Sequence, residues 1–250
     1  MEILLAIAVV PGLVLMGYVY AKDPVEKEPV GLLVKLFALG AASALLAGVI
    51  EIALDAPVRT ALGYQSLAYL LAHNILVVAL VEEGCKFLFL KKSTWRSSEF
   101  NYLFDGIVYA VFVSLGFAVL ENVIYVFEYG FATGIARALT SMPGHAVFAV
   151  FMGSFYAKAK LADVRGDVAG RQRNLRLAVV MPVVAHGAYD VLASIGSDLS
   201  VALFLLLLVV LFGLGLRLVR RESKAATRLF SSSPLEPRGG VGAAGTASGA

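Results

Sequence analysis

Seven runs of mostly apolar residues, each about as long as a helix that crosses a bilayer, decide what this chain can fold into. They span approximately 2–20, 32–54, 66–90, 104–128, 141–159, 176–195 and 200–218, and a hydrocarbon core about 30 Å thick needs roughly 20 such residues per crossing. Helix is the spanning form open to them, because lipid offers no partner to an unpaired backbone and the runs are too long and continuous for tilted barrel strands. With 59% hydrophobic and 16% charged residues in a chain of 250, the composition lies outside that of water-soluble domains. The predicted fold is all-α, a polytopic membrane bundle of seven helices over 1–221. A tail at 222–250, rich in Ser, Gly, Ala and Pro, cannot bury enough apolar area to fold and is expected to be disordered. Glu2 stands where a cleavable signal peptide would carry positive charge, so the first run counts as a span.

The basic residues test this layout, since cytoplasmic loops collect Lys and Arg. Alternate connections hold Lys22 and Lys27, then Lys91, Lys92 and Arg96, then Lys158 through Arg176, and finally the Arg217–Arg238 stretch. The opposite connections hold only Arg59 and Arg137. This asymmetry predicts an outside N-terminus and a cytoplasmic C-terminus, and it explains the net charge of +3 without invoking nucleic acid, for which there is no basic stripe interleaved with aromatics. The single cysteine, Cys85, excludes an internal disulfide framework and a cysteine-clustered metal site.

Several polar residues fall inside these spans. A charged side chain at mid-span costs about 2.5–3.5 kcal/mol on insertion scales, so Glu82, Glu83 and Lys86 must face protein or trapped water rather than lipid. Lys86 follows Glu83 by three residues and Glu82 by four, which puts it on a face shared with both. The two glutamates point about 100° apart, so one can face a site while the other supports it. Glu121 and Asn122 lie in the fourth run, His145 opens the fifth, and His186 lies mid-way along the sixth with Asp190 one turn on. A buried ion pair would explain Lys86 and one glutamate. It would not explain five ionisable groups on four spans.

Carboxylate oxygen and imidazole nitrogen are the donors of catalytic divalent metals, and three protein ligands with one open water position is the usual zinc arrangement. Glu121, His145 and His186 can supply the three. Glu82 or Glu83 can then take a proton from the water, and Asp190 can accept the ring N–H of His186. Metal-free chemistry remains open beside this, with a desolvated glutamate activating water and an imidazole stabilising the oxyanion. Counting about 1.5 Å per residue from the loop ends places the group in the middle to outer half of the membrane. Glu51, Asp55, His73 and Asn74 read as solvated interfacial residues, and Tyr109 and Tyr125 as packing residues.

Four motifs in order, Glu82-Glu83-Gly84-Cys85-Lys86, Phe117 to Glu121-Asn122, Pro143-Gly144-His145 and His186 to Asp190, with Phe104-Asp105-Gly106 opening the fourth run, resemble the PrsW family of intramembrane proteases. That family is distantly related to the CAAX prenyl endopeptidases, and the resemblance covers about residues 66–195. It implies a protease of the bacterial cytoplasmic membrane that cuts a membrane-anchored protein, an anti-sigma factor in its best-known members, at the first step of a stress-signalling cascade. It implies catalytic roles for Glu82, Glu83, Lys86 and His186, with Glu121, His145 and His186 as ligands of a divalent metal, zinc first, or as catalytic partners. Asn122 and Asp190 would support them. A proton-coupled transporter would bury the same residue types but string them along the membrane normal, and a scaffold would keep them for packing.

Overall fold

The structure, a computed structural model, describes residues 1–225 and 227–229. Among these it contains seven segments long and apolar enough to cross a membrane. We label the helices α1 (Glu2–Lys22), α2 (Val30–Leu62), α3 (Leu67–Thr94), α4 (Leu103–Tyr129), α5 (Phe131–Leu139), α6 (Ser141–Val164), α7 (Val168–Ile195) and α8 (Asp198–Ala225). The all-α bundle expected from the apolar runs is the fold observed, and the chain is an integral membrane protein.

The sequence alone does not distinguish the centre of the bundle from its rim, because every run is apolar. In the structure α4 is the hub, with 83% of its most apolar window buried, whereas α1 and α8 bury 22% and turn the rest outward. Small residues let neighbours close on the hub. A Cβ on Gly40 of α2 would overlap the Val113 carbonyl of α4, and one on Gly153 of α6 would overlap the backbone of Gly106, so both crossings need glycine.

Two elements differ from the sequence expectation. Helix α2 runs on to Leu62, beyond the length that lipid requires, since a helix needs no bilayer to continue. The amphipathic α5, nine residues long, is too short to span and turns back from α4 through Gly130, whose φ of 83° suits glycine. Its exposed face carries Phe131, Ile135 and Leu139.

The basic connections meet at one end of the bundle. Lys160 Nζ donates to the Trp95 carbonyl at 2.8 Å, Ser223 Oγ donates to the Lys22 carbonyl, and Lys158 lies 3.8 Å from Glu222. Helix α8 reaches Ala225, past the expected start of the tail, and Thr227 and Leu229 flank an antiparallel bridge between Arg228 and Tyr102. The rest of the expected tail, 230–250, lies outside the described residues, as does residue 226.

Candidate active site

Helix α3 carries the first three charged residues. Its stretch His73–Ala79 is π-helical, a local widening that recurs at functional sites, and it ends one turn before Glu82. Adjacent residues leave a helix about 100° apart, yet both glutamates bend to Lys86, whose Nζ donates to Glu82 Oε2 at 3.0 Å and to Glu83 Oε1 at 2.8 Å. Glu83 and Lys86 are wholly buried, and Glu82 is 5% exposed. The ammonium also lies 4.0 Å over the Phe117 ring of α4, which adds attraction where water is absent.

Helices α6 and α7 bring the imidazoles against this group. His145 Nδ1 accepts from the Lys86 ammonium at 3.1 Å, and its Nε2 donates to Glu121 Oε2 at 3.1 Å. Since an ammonium only donates and a carboxylate only accepts, this network fixes the proton on Nε2. His186 Nδ1 lies 3.1 Å from Glu83 Oε1 and 4.0 Å from Glu82 Oε2, while its Nε2 lies 3.2 Å from Asp190 Oδ2. Each ring therefore turns one nitrogen inward and the other to an outlying carboxylate, which fixes ring orientation. Phe148 stacks on His186 at 4.9 Å and 20°, and Ser114 Oγ donates to the His145 carbonyl at 3.0 Å.

A connected chain of contacts of 4.0 Å or less joins Glu82, Glu83, Lys86, Glu121, His145, His186 and Asp190. That grouping is what hydrolysis around one water requires, and it differs from a relay strung across the membrane. The set whose ligand atoms converge is Glu82, His145 and His186, all within 4.8 Å of one another. Glu121 stands behind His145 rather than in that set. One carboxylate and two imidazoles are a donor set of catalytic zinc, so these residues fit a divalent metal. Asn122 accepts from Arg137 Nε at 2.7 Å, and the same guanidinium lies 2.8 Å from Glu121, so Asn122 meets the cluster through Arg137.

A cavity of about 780 Å³ reaches Glu82, Glu121, His145 and His186 and extends outward to Asp55 and Arg59. Two residues on it were not anticipated. Arg137 of α5 lies 2.8 Å from Glu121 and 4.0 Å over the Tyr125 ring. Its one sequence signal is that it breaks the charge asymmetry, being one of two basic residues on the sparse side. Glu51, expected in interfacial water, instead lines the cavity with its Oε1 buried and without a hydrogen-bond partner. Nearer the rim, Asp55 accepts from Tyr69 at 2.6 Å and lies 2.9 Å from His73.

Residues 28–216 match the family model described as PrsW family intramembrane metalloprotease. The chain is 31% identical over 231 residues to Protease PrsW of Clostridioides difficile (strain 630), covering 91% of this chain and 94% of that protein. It is 36% identical over 187 residues to Protease PrsW of Geobacillus kaustophilus (strain HTA426), covering 75% and 78%. It is 31% identical over 218 residues to Protease PrsW of Bacillus subtilis (strain 168), covering 87% and 94%. No solved structure matches the chain.

Proposed function

The chain belongs to the PrsW family of intramembrane metalloproteases, and on that premise we propose that it hydrolyses a peptide bond of a membrane-anchored protein at the Glu82, His145 and His186 cluster. The observation that carries this reading is the convergence of those three ligand atoms within 4.8 Å, inside a bundle and against a cavity large enough for a peptide segment.

Glu82, His145 and His186 would hold the metal, the Lys86 ammonium giving up the His145 Nδ1 lone pair to it, and zinc suits their mixed nitrogen and oxygen donors. When bound, the ion would bring a water's pKa to about 7 and polarise the scissile carbonyl. Glu83 is then the proton acceptor. Its Oε1 is held by Lys86 and His186, while Oε2 is buried without a partner, free to take the water's proton and pass it to the leaving amide nitrogen. Lys86 donates to both adjacent carboxylates and holds them in place. Glu121 and Asp190 hold the imidazoles, and Arg137 holds Glu121.

The charge of the basic end supports a cytoplasmic position for it, and on that reading the cavity mouth near Asp55 and Arg59 opens on the outer side. A single-span anti-sigma factor, cut there to start a stress response, is the substrate that fits this placement and the family resemblance. Co-expression with candidate single-span proteins tests the reading, comparing wild type with Glu83→Gln and His186→Ala and with chelator followed by zinc. Loss of the cleaved product in both variants, with chelator loss reversed by the metal, is expected. Undiminished cleavage in both variants would remove the cluster from the chemistry.

A further inference from the structure

The bundle holds a second group of buried acids that proteolysis does not use. Asp23 ends α1, Glu28 lies in the α1–α2 connection, and Asp105 sits in the first turn of α4; they are 6%, 5% and 1% exposed. Each offers a carboxylate oxygen within 4.8 Å of the others. Among the described residues no Lys, Arg or His makes an ion pair with any of the three. The nearest cation, Lys27, spends its ammonium on backbone carbonyls, those of Tyr20 at 2.6 Å and Asp23 at 2.8 Å.

Two of the carboxylates have work of their own. Asp105 Oδ2 accepts from the Asn101 and Tyr102 amides at 2.9 and 2.7 Å, capping α4, and Glu28 Oε2 accepts from the Tyr109 hydroxyl at 2.6 Å. Asp23 does not. Apart from the Val25 amide its carboxylate has no hydrogen-bond partner, and Oδ2 is buried and unpaired beside two other acids. An unsatisfied carboxylate in such a place is costly unless something positive meets it. Burial pushes the Glu28 carboxyl up to about 8 and raises that of Asp23 as well, as expected of acids lacking a counter-charge.

We propose that Asp23, Glu28 and Asp105 form a second, structural cation site that takes a divalent ion preferring oxygen ligands, calcium or magnesium, and clamps the α1–α2 connection to the start of α4. Three carboxylates without nitrogen or sulfur donors select hard cations. The clamp lies on the hub helix, which carries Glu121 at its other end.

The test uses the full chain in detergent, stripped of metal, with calcium or magnesium alone as the probe. Wild type and His186→Ala should both show a saturable rise in Tm with one of the two ions. Asp23→Asn should lose that rise or need at least about ten times more cation. Its metal-free Tm should equal or exceed that of wild type, because one repelling charge is gone. Terbium luminescence excited through Tyr109 gives a second reading, bright in wild type and dim in Asp23→Asn; Glu28→Gln repeats the comparison should Asp23→Asn not fold. No rise in wild type with either ion overturns the proposal and leaves protons to neutralise the cluster. A rise that survives Asp23→Asn overturns it too, and one abolished by His186→Ala moves the ion to the catalytic cluster. Proteolysis is not a readout here, so failure leaves the catalytic reading intact.

Discussion

Two clusters of buried acids among the described residues, one halfway along α3 and one where the α1–α2 connection meets α4, are compensated differently. At the first, Lys86 stands between Glu82 and Glu83 and two imidazoles close the ring. At the second, three carboxylates meet a tyrosine hydroxyl and backbone amides, and no ammonium reaches their oxygens. Mixed nitrogen and oxygen donors around an internal cation suit a metal that must also exchange water and protons. An all-oxygen set with an unpaired Asp23 suits an ion that only has to stay. The two proposals thus assign one cluster to turnover and the other to anchorage, and each of the following substitutions can blur that distinction.

The largest effect belongs to Glu83→Gln. The amide keeps the shape and can still meet Lys86 or His186, but it accepts no proton. Cleavage of a membrane-anchored substrate should fall by about 10²–10⁴-fold, the usual worth of a positioned general base, while Tm changes little. An equal fall for Asp23→Asn would erase the difference between the clusters.

Lys86→Met comes next and is read on folding. Lys86 is wholly buried between two carboxylates, and removing one partner of a buried ion pair costs about 3–5 kcal/mol because the remaining charges stay uncompensated. A sharp loss of thermal stability in detergent, partly restored by combining it with Glu83→Gln, is expected. An unchanged Tm would mean that the ammonium is not what holds these carboxylates.

How much of this was legible beforehand follows the same contrast. Glu82, Glu83 and Lys86 stood out because charge inside an apolar run has no ordinary explanation, and Glu121, His145 and His186 stood out for the same reason. The span pattern gave the fold, since apolar length alone dictates crossing helices. Which three donors converge was not legible: Glu82 rather than Glu121 joins the imidazoles because helix rotation and the π-helical stretch His73–Ala79 set the facing. The Asp23, Glu28 and Asp105 group was invisible, because acids in a connection or at a helix start are commonplace in water. Only packing against the hub reveals that these are buried. Arg137 went unassigned because α5 is too short to register as a span.

Asp190→Asn should act through His186. The asparagine still meets Nε2 but carries no charge to hold the ring, and losing such an orienting carboxylate typically lowers metal affinity or activity by about 10–100-fold. The expected signature is a higher zinc concentration for half-restoration after chelation, with a smaller change at saturating zinc. Equal losses at all zinc levels would place Asp190 in the chemistry itself.

The smallest effect is expected at Tyr109→Phe, in the anchoring cluster. The ring stays packed edge-on against Phe100 at 5.5 Å, so what is lost is the hydroxyl that donates to Glu28 at 2.6 Å. One net hydrogen bond is worth about 0.5–1.5 kcal/mol, and metal-free Tm should drop accordingly. With the cation bound, Glu28 has a second partner and the drop should shrink, whereas cleavage per folded molecule should stay at the wild-type level because no catalytic side chain touches Tyr109. A penalty that is unchanged by calcium and magnesium would show that Glu28 relies on the tyrosine alone, and the two clusters would then differ only in their donors and not in their use of metal.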